Sequence, residues 1–373
     1  MSLKAPMIVD LGSYEIKTGF KSNNQNPSTL FPSYIGEAKY DKILRSINIH
    51  KQNKKEQFIG DDCSKYLGLL KLRYPIRNGI FTNERDISLI FNHIFTILGL
   101  NSEEIHEHPL LITEPILNPN ENREKISEIL FEKYGVPGLA FGSQPQLSLF
   151  SFSFTTGVIL ESGHDVSQIC AVVDGNSIPS SFLRSNFGGR DVSDYLGRLL
   201  KMKGFEFVSD SEKLILNKIK QKYIMCQILE EDKTFQYKLP DSRIVEIDLK
   251  DYNASKVMFN PSLVGKKCLG LDKMVETCIE RVNLDLRDCL CDIIKLTGGN
   301  CLMRNFSQVM HTILHSTLNK YKRVNAKAYQ NNCTISNWNG GNIIAGLGIF
   351  KDLLITKKEW DEKGKDIVNK KAF

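Results

Sequence analysis

Two stretches of the chain share one layout. Residues 7–20 read MIVDLGSYEIKTGF, and residues 157–173 read GVILESGHDVSQICAVV. Each runs from a short apolar segment through an acidic residue and a glycine with a polar neighbour into a second strand-like segment. Apolar strands joined by a glycine-bearing tight turn make a hairpin, and its tip exposes backbone N–H groups to an anion. The duplication divides the chain into two related halves. Two such hairpins facing each other would clamp a nucleotide's phosphates from both sides.

Length supports two lobes, because 373 residues exceed what one hydrophobic core usually supports. At 41% hydrophobic and 25% charged, the composition is that of an ordinary globular protein. No apolar run approaches the roughly 18 residues of a membrane span, so no membrane insertion is expected. The opening MSLKAPMIVD lacks a secretion signal's apolar segment, and an intracellular location is expected. The nine cysteines are irregularly spaced and contain no C-x-x-C, which predicts free thiols without a metal cluster. The net charge of +6 gathers in local lysine groups. Basic and aromatic residues do not interleave in a recognisable module, so nucleic-acid binding is not expected. His311 and His315 lie four apart on a predicted helix, but the carboxylate partner of H-E-x-x-H is absent, so no metal role is expected of them.

Along the chain, residues 36–57 are polar and lysine-rich and read as an exposed insertion. Apolar spacing predicts helices over 86–98, 120–136 (capped by Asn120), 190–203, 212–228, 272–281 and 306–314, and 337–354 opens on a tryptophan and two glycines and then continues as an apolar helix. Strands are expected at 109–113, over 157–173 and near 178–184. A hairpin is expected over 234–249, turning at Pro240 and Asp241, and IIKLTGGN over 293–300 reads as a strand running into a glycine pair. Strands alternating with helices predict α/β lobes.

Together these landmarks resemble actin and the actin-related proteins from end to end. DLGSYEIKTGF is similar to that family's first phosphate hairpin. FPSYIG (31–36), YPIRNGI (74–80), LLITEPILNPNENREK (110–125), LSLF (147–150), TTG (155–157), GRDVSDYL (189–196), FNPSLVG (259–265), LTGGN (296–300) and WNGGNIIAGL (338–347) follow in family order and spacing. The resemblance implies two actin-like, ribonuclease H-like α/β domains with a nucleotide cleft between them. Residues 1–151 and 336–373 would form domain I, with an insertion over 32–74. Residues 152–335 would form domain II, with an insertion over 188–267. ATP or ADP with Mg2+ or Ca2+ would occupy the cleft.

Carried over residue by residue, the resemblance assigns Gly12, Ser13, Tyr14 and Lys17 of the first hairpin to the phosphates. It assigns Ser162, Gly163, His164 and Asp165 of the second hairpin to the same ligand. Gly189, Lys220, Gln221, Gly298, Gly299, Asn300 and Met303 would lie near the nucleoside. Asp10 and Glu161 would hold the metal through water, since a magnesium-type ion keeps several waters. Gln144 would position the attacking water if hydrolysis occurs.

Several residues depart from the family pattern. Tyr14 stands where actin has glycine, and a tyrosine held at positive φ would be strained. Glu161 replaces an aspartate, His164 and Asp165 replace Asp and Gly, and Gln168 replaces a histidine linked to the catalytic water. Gln221, Asn217 and Thr334 alter the adenosine pocket. ATP binding with impaired hydrolysis is the expected outcome. The loop 37–56 carries Lys39, Lys42, Arg45, Lys51, Lys54 and Lys55, and Lys266 and Lys267 enter a segment that is apolar in actin. Asn78 replaces the histidine that conventional actin methylates.

These changes argue against a conventional long-filament actin. The expectation is a divergent actin-like protein acting with other proteins, either actin-like subunits or actin-binding partners. Its expected place is the cytoplasm and cytoskeleton, with the nucleus as the alternative. A weak ATPase driving its own assembly into short or specialised filaments is the second reading. A small-molecule phosphotransferase is disfavoured, because no general base for a sugar hydroxyl is evident.

Overall fold

The computed structural model describes residues 3–40, 57–226, 234–329 and 332–371. Most of the lysine-rich 37–56 loop, the last two residues of the expected 212–228 helix and the end of the C-terminal tail lie outside those residues. The chain divides into two compact units, Met1–Ser153 with Ile335–Phe373, and Phe154–Thr334.

The first unit contains β1 (Met7–Leu11), β2 (Glu15–Phe20), β3 (Thr29–Pro32), β4 (Ile35–Ala38), β5 (Gln57–Ile59), β6 (Leu70–Arg73), β7 (Ile76–Arg77), β8 (Ile80–Phe81), β9 (Leu110–Glu114) and β10 (Gly138–Ser143). Its main sheet runs in the order Ile355–Thr356, β10, β9, β1, β2, β3. β1 pairs antiparallel with β2 and parallel with β9, and β9 pairs parallel with β10. Alternate side chains of β1 point to opposite faces. Met7, Val9 and Leu11 pack with Ile87, Phe91 and Phe131, whereas Ile8 packs with Leu111, Ala140 and Trp338. A strand covered on both faces needs a nearly continuous apolar run, which MIVDL supplies.

The helix Ser336–Ile344 lies against the helix Gln144–Ser151. A Cβ on Gly340 would fall 1.8 Å from the Leu147 carbonyl oxygen, so the glycine of WNGG permits the close approach. Trp338 donates its indole N–H to the Ile8 carbonyl at 3.2 Å. The β7–β8 turn is Asn78–Gly79, with φ of 51° and 70°. Positive φ at both central residues is the signature of the type I′ hairpin turn, and Asn-Gly is its preferred sequence.

The second unit contains β11 (Gly157–Ser162), β12 (Ser167–Val173), β13 (Asn176–Ser177), β14 (Leu183–Ser185), β15 (Phe235–Lys238), β16 (Ile244–Ile247), β17 (Ile294–Thr297) and β18 (Ala326–Ala328). The sheet order is β13, β12, β11, β17, β18, with β14 also pairing to β12. As in the first unit, an antiparallel hairpin leads into two parallel neighbours. Val158, Leu160, Ile169, Ala171, Leu296 and the helix Gly189–Met202 share its core.

Several expected boundaries move. The helix expected over 120–136 is α-helical over Asn120–Glu128 and then widens into a π-helical turn, Ile129–Lys133. Pro119, not Asn120, occupies its cap position, and no side chain caps the end. The helix expected from 212 begins at Asp210, because Ser209 and Glu212 form a reciprocal capping box, and it ends at Tyr223. The helix expected over 337–354 is two helices, Ser336–Ile344 and Phe350–Leu353, separated by a glycine-bearing link. The strand expected near 178–184 is a 3-10 turn, Pro179–Ser181, followed by β14.

Candidate functional site

In the first unit, the β1–β2 register sets Asp10 opposite Lys17 and Leu11 opposite Ile16, leaving Gly12, Ser13 and Tyr14 at the tip. A Cβ on Gly12 would lie 2.4 Å from the Glu15 carbonyl oxygen, so the turn closes only on glycine. Tyr14 has negative φ and is 40% exposed, so the condition under which a tyrosine would strain this turn is not met. The Ser13 hydroxyl accepts the Gly79 N–H at 3.4 Å, tying the tip to the Asn78–Gly79 turn.

Asp10 is buried at the end of β1. Its Oδ2 lies 3.1 Å from the Lys17 ammonium, and its Oδ1 accepts the Thr113 hydroxyl at 2.5 Å. Gln144 Nε2 lies 3.2 Å from Thr113 Oγ1 and 3.4 Å from Asp10 Oδ1. Three elements converge here: the first hairpin, the end of β9 and the first turn of the helix Gln144–Ser151. The fold therefore brings Asp10, Lys17 and Gln144, three residues that the resemblance assigns to the ligand, close together. Thr113 was not anticipated. A polar residue closing the apolar strand PLLIT was the available signal.

In the second unit, Gly163 N–H donates to the Val166 carbonyl at 2.9 Å and closes the β11–β12 tip. Ser162 and Ser167 share a hydroxyl hydrogen bond of 2.9 Å. Asn300 donates its side-chain amide to Ser162 Oγ at 3.0 Å and to the Gly163 carbonyl at 2.7 Å. Gly298 has φ of 88°, and a Cβ there would lie 2.3 Å from the Ser162 carbonyl oxygen, whereas one on Gly299 would meet nothing within 4 Å. Gly298 is thus a packing requirement of the fold, while Gly299 faces open space.

Around this tip, Gly189 N–H donates to the Gly163 carbonyl at 2.9 Å and Arg190 N–H to the His164 carbonyl at 2.8 Å. Asp165 is buried, with Arg190 Nε 3.4 Å and His164 Nε2 3.8 Å from its Oδ1. Its carboxylate is thus matched by a guanidinium, a contact absent from the sequence expectation. Glu161 accepts the Gln168 amide at 2.9 Å across the hairpin.

Lys220 is buried and donates to the Gly189 carbonyl at 2.7 Å. Loss of water holds its ammonium down to about 8, with the Asp194 and Asp191 carboxylates opposing the shift. Gln221, next along the helix Asp210–Tyr223, is exposed. Met303 is half-buried after the 3-10 turn Gly299–Leu302, and its N–H donates to the Asn300 carbonyl at 3.2 Å. Ser162, Gly163, Gly189, Lys220, Gly298 and Asn300 therefore form one connected group.

The residues present fit a polyphosphate with a hard cation. The first hairpin offers a glycine tip and a lysine, and Asp10 offers an oxygen donor set. Among the described residues, no three His, Cys, Asp or Glu side chains cluster as a metal cage. Any divalent ion would depend on phosphate and water for most of its ligands. No helix among the described residues is long and apolar enough to cross a membrane.

Residues 3–373 match the family described as Actin. Centractin of Schizosaccharomyces pombe is 35% identical over 379 residues, covering 99% of this chain and 97% of that protein. The chain belongs to the actin and actin-related protein family.

Proposed function

We propose that this protein binds ATP or ADP with Mg2+ or Ca2+ through its two hairpins, and that it works in cytoplasmic, cytoskeletal protein assemblies rather than as a conventional long-filament actin. The observation that carries the nucleotide reading is the Asp10–Lys17–Thr113–Gln144 group at the first glycine tip. Lys17 would supply a point charge to phosphate, and the tip would supply backbone N–H groups. Asp10 would orient water around the cation. The cation, when bound, would offset phosphate charge.

The test is nucleotide content. Protein purified with Mg2+, or incubated with excess Mg·ATP and desalted, is denatured and the released nucleotide is chromatographed. About one ATP or ADP per chain is expected for a tight site. A chain free of nucleotide after both treatments would contradict the reading. The assembly reading has its own test, since robust long filaments pelleting at raised salt with ATP would overturn it.

A weak ATPase that drives short filaments is the second reading, and the placement of Gln144 beside Asp10 and Thr113 favours it. A glutamine in hydrogen-bond reach of such a site is placed to orient water. Phosphate release above background, lost in Gln144→Ala with nucleotide binding retained, would support that reading.

A further inference from the structure

The two lysines that interrupt an otherwise apolar segment after residue 265 have a structural consequence. The segment 259–270 is a closed surface loop. Its ends touch, since a Cβ on Gly270 would lie 2.2 Å from the Phe259 carbonyl oxygen. Between them, Pro261–Val264 makes a 3-10 turn that Gly265 ends at φ 77°. Leu263 and Leu269 are 39% and 42% exposed. Compact loops of this kind are held by their own side chains, and here the charged tether is Lys266. Its ammonium lies 2.8 Å from Asp191 Oδ1, donates to the Asn186 carbonyl and sits 5.8 Å from the centre of the Phe187 ring. Lys267 remains exposed.

The stretch 186–191 that receives Lys266 is also the stretch that holds the β11–β12 tip. Gly189 and Arg190 donate their N–H groups to the Gly163 and His164 carbonyls. The Phe187 carbonyl accepts the Ser167 hydroxyl at 2.9 Å, and Arg190 faces Asp165. Asp191 accepts the Gly188 N–H at 2.9 Å through Oδ2, the other oxygen from the one facing Lys266. One short piece of backbone is therefore fixed to the hairpin on one side and to the loop on the other.

We propose that Lys266 couples the 259–270 loop to the β11–β12 hairpin, so that the order of the loop follows the state of the hairpin. By linkage, the factor by which a ligand of the hairpin favours the ordered loop is also the factor by which the ordered loop favours that ligand. The regulatory half of this inference rests on the nucleotide reading above, but the mechanical half does not. The Lys266–Asp191 pair is partly exposed, so salt weakens the coupling.

Hydrogen exchange read by mass spectrometry on the full chain tests it, using wild type, Lys266→Met and Lys266→Arg. Without nucleotide, Lys266→Met is expected to exchange at least about fivefold faster both at 259–270 and at 163–165 with 186–191. Lys266→Arg is expected to restore most of the protection. Faster exchange confined to 259–270 would overturn the coupling, whether or not the protein binds nucleotide. With saturating Mg·ATP, and binding measured by calorimetry on the same samples, wild type should gain protection at 259–270 and Lys266→Met should not. Measured binding with no added protection in the wild-type loop would also overturn it. Absence of heat would count against the nucleotide reading, leaving the nucleotide-free comparison to decide the mechanical coupling.

Discussion

Thr113 and Asp10, 103 residues apart, sit opposite each other on the parallel strands β9 and β1, and the Thr113 hydroxyl donates to Asp10 Oδ1 at 2.5 Å. With Lys17 on the other oxygen, this bond fixes the orientation of a buried carboxylate. Thr113→Val keeps the shape and the strand but leaves that oxygen with a weaker set of donors. The expected cost is ~1–3 kcal/mol of stability, together with weaker Mg·ATP binding. A calorimetric melt and a nucleotide titration check the two effects separately.

Gly298 and Gly299 should respond differently to alanine. At Gly298 the added methyl meets the Ser162 backbone, and φ of 88° is unfavourable for alanine. Gly298→Ala should destabilise by more than about 1 kcal/mol. At Gly299 the methyl enters open space, so Gly299→Ala should melt like wild type. A loss of nucleotide affinity in Gly299→Ala would then report a ligand approaching that backbone. Equal melting of the two variants would contradict the geometry.

Lys220 gives a pH signature. Burial holds its ammonium down to about 8 from its ordinary 10.5, so between those values the unfolded chain binds the proton more tightly. This group's contribution to stability is therefore fully present above 10.5 and is lost as pH falls through about 8. The difference is about 3 kcal/mol. Wild-type stability measured relative to Lys220→Met should rise from pH 8 toward pH 10.5. A flat difference would mean that the lysine is solvated. Taking the difference removes the opposing titration of the buried thiols.

The cysteines predict an order of labelling. Cys289 is exposed, Cys268 is half-buried, and the remaining seven are buried. Burial pushes Cys63, Cys278 and Cys291 up to about 12, and Cys226 and Cys333 up to about 11. A maleimide followed by peptide mapping should mark Cys289 first and Cys268 more slowly. The buried seven should react only as fast as the protein opens. Early labelling of Cys170 or Cys301 would contradict the packing of the second core.

What the sequence made legible follows from range. Both hairpins were readable because a short apolar run and a glycine turn are local signals. The start of the helix Asp210–Tyr223 was also written locally, in Ser209 and Glu212, and an apolar-spacing reading overlooked it. Asn120 looks like a cap, but Pro119 already has an extended backbone, so the asparagine becomes the first helical residue. The link between Ile344 and Phe350 contains Gly346 and Gly348, which apolar periodicity alone does not weigh. Thr113 at Asp10, Arg190 at Asp165 and Lys266 at Asp191 depend on which strands and turns become neighbours. No local spacing announces those contacts.

The central claim is that the glycine-tipped hairpins hold a nucleotide's phosphates. Titration calorimetry of Mg·ATP into wild type and Lys17→Ala tests it most directly. The account predicts a saturable heat in wild type with Kd below about 10 μM, and affinity at least about tenfold weaker in Lys17→Ala. No heat in wild type freed of nucleotide, or equal affinity in the two proteins, would contradict it.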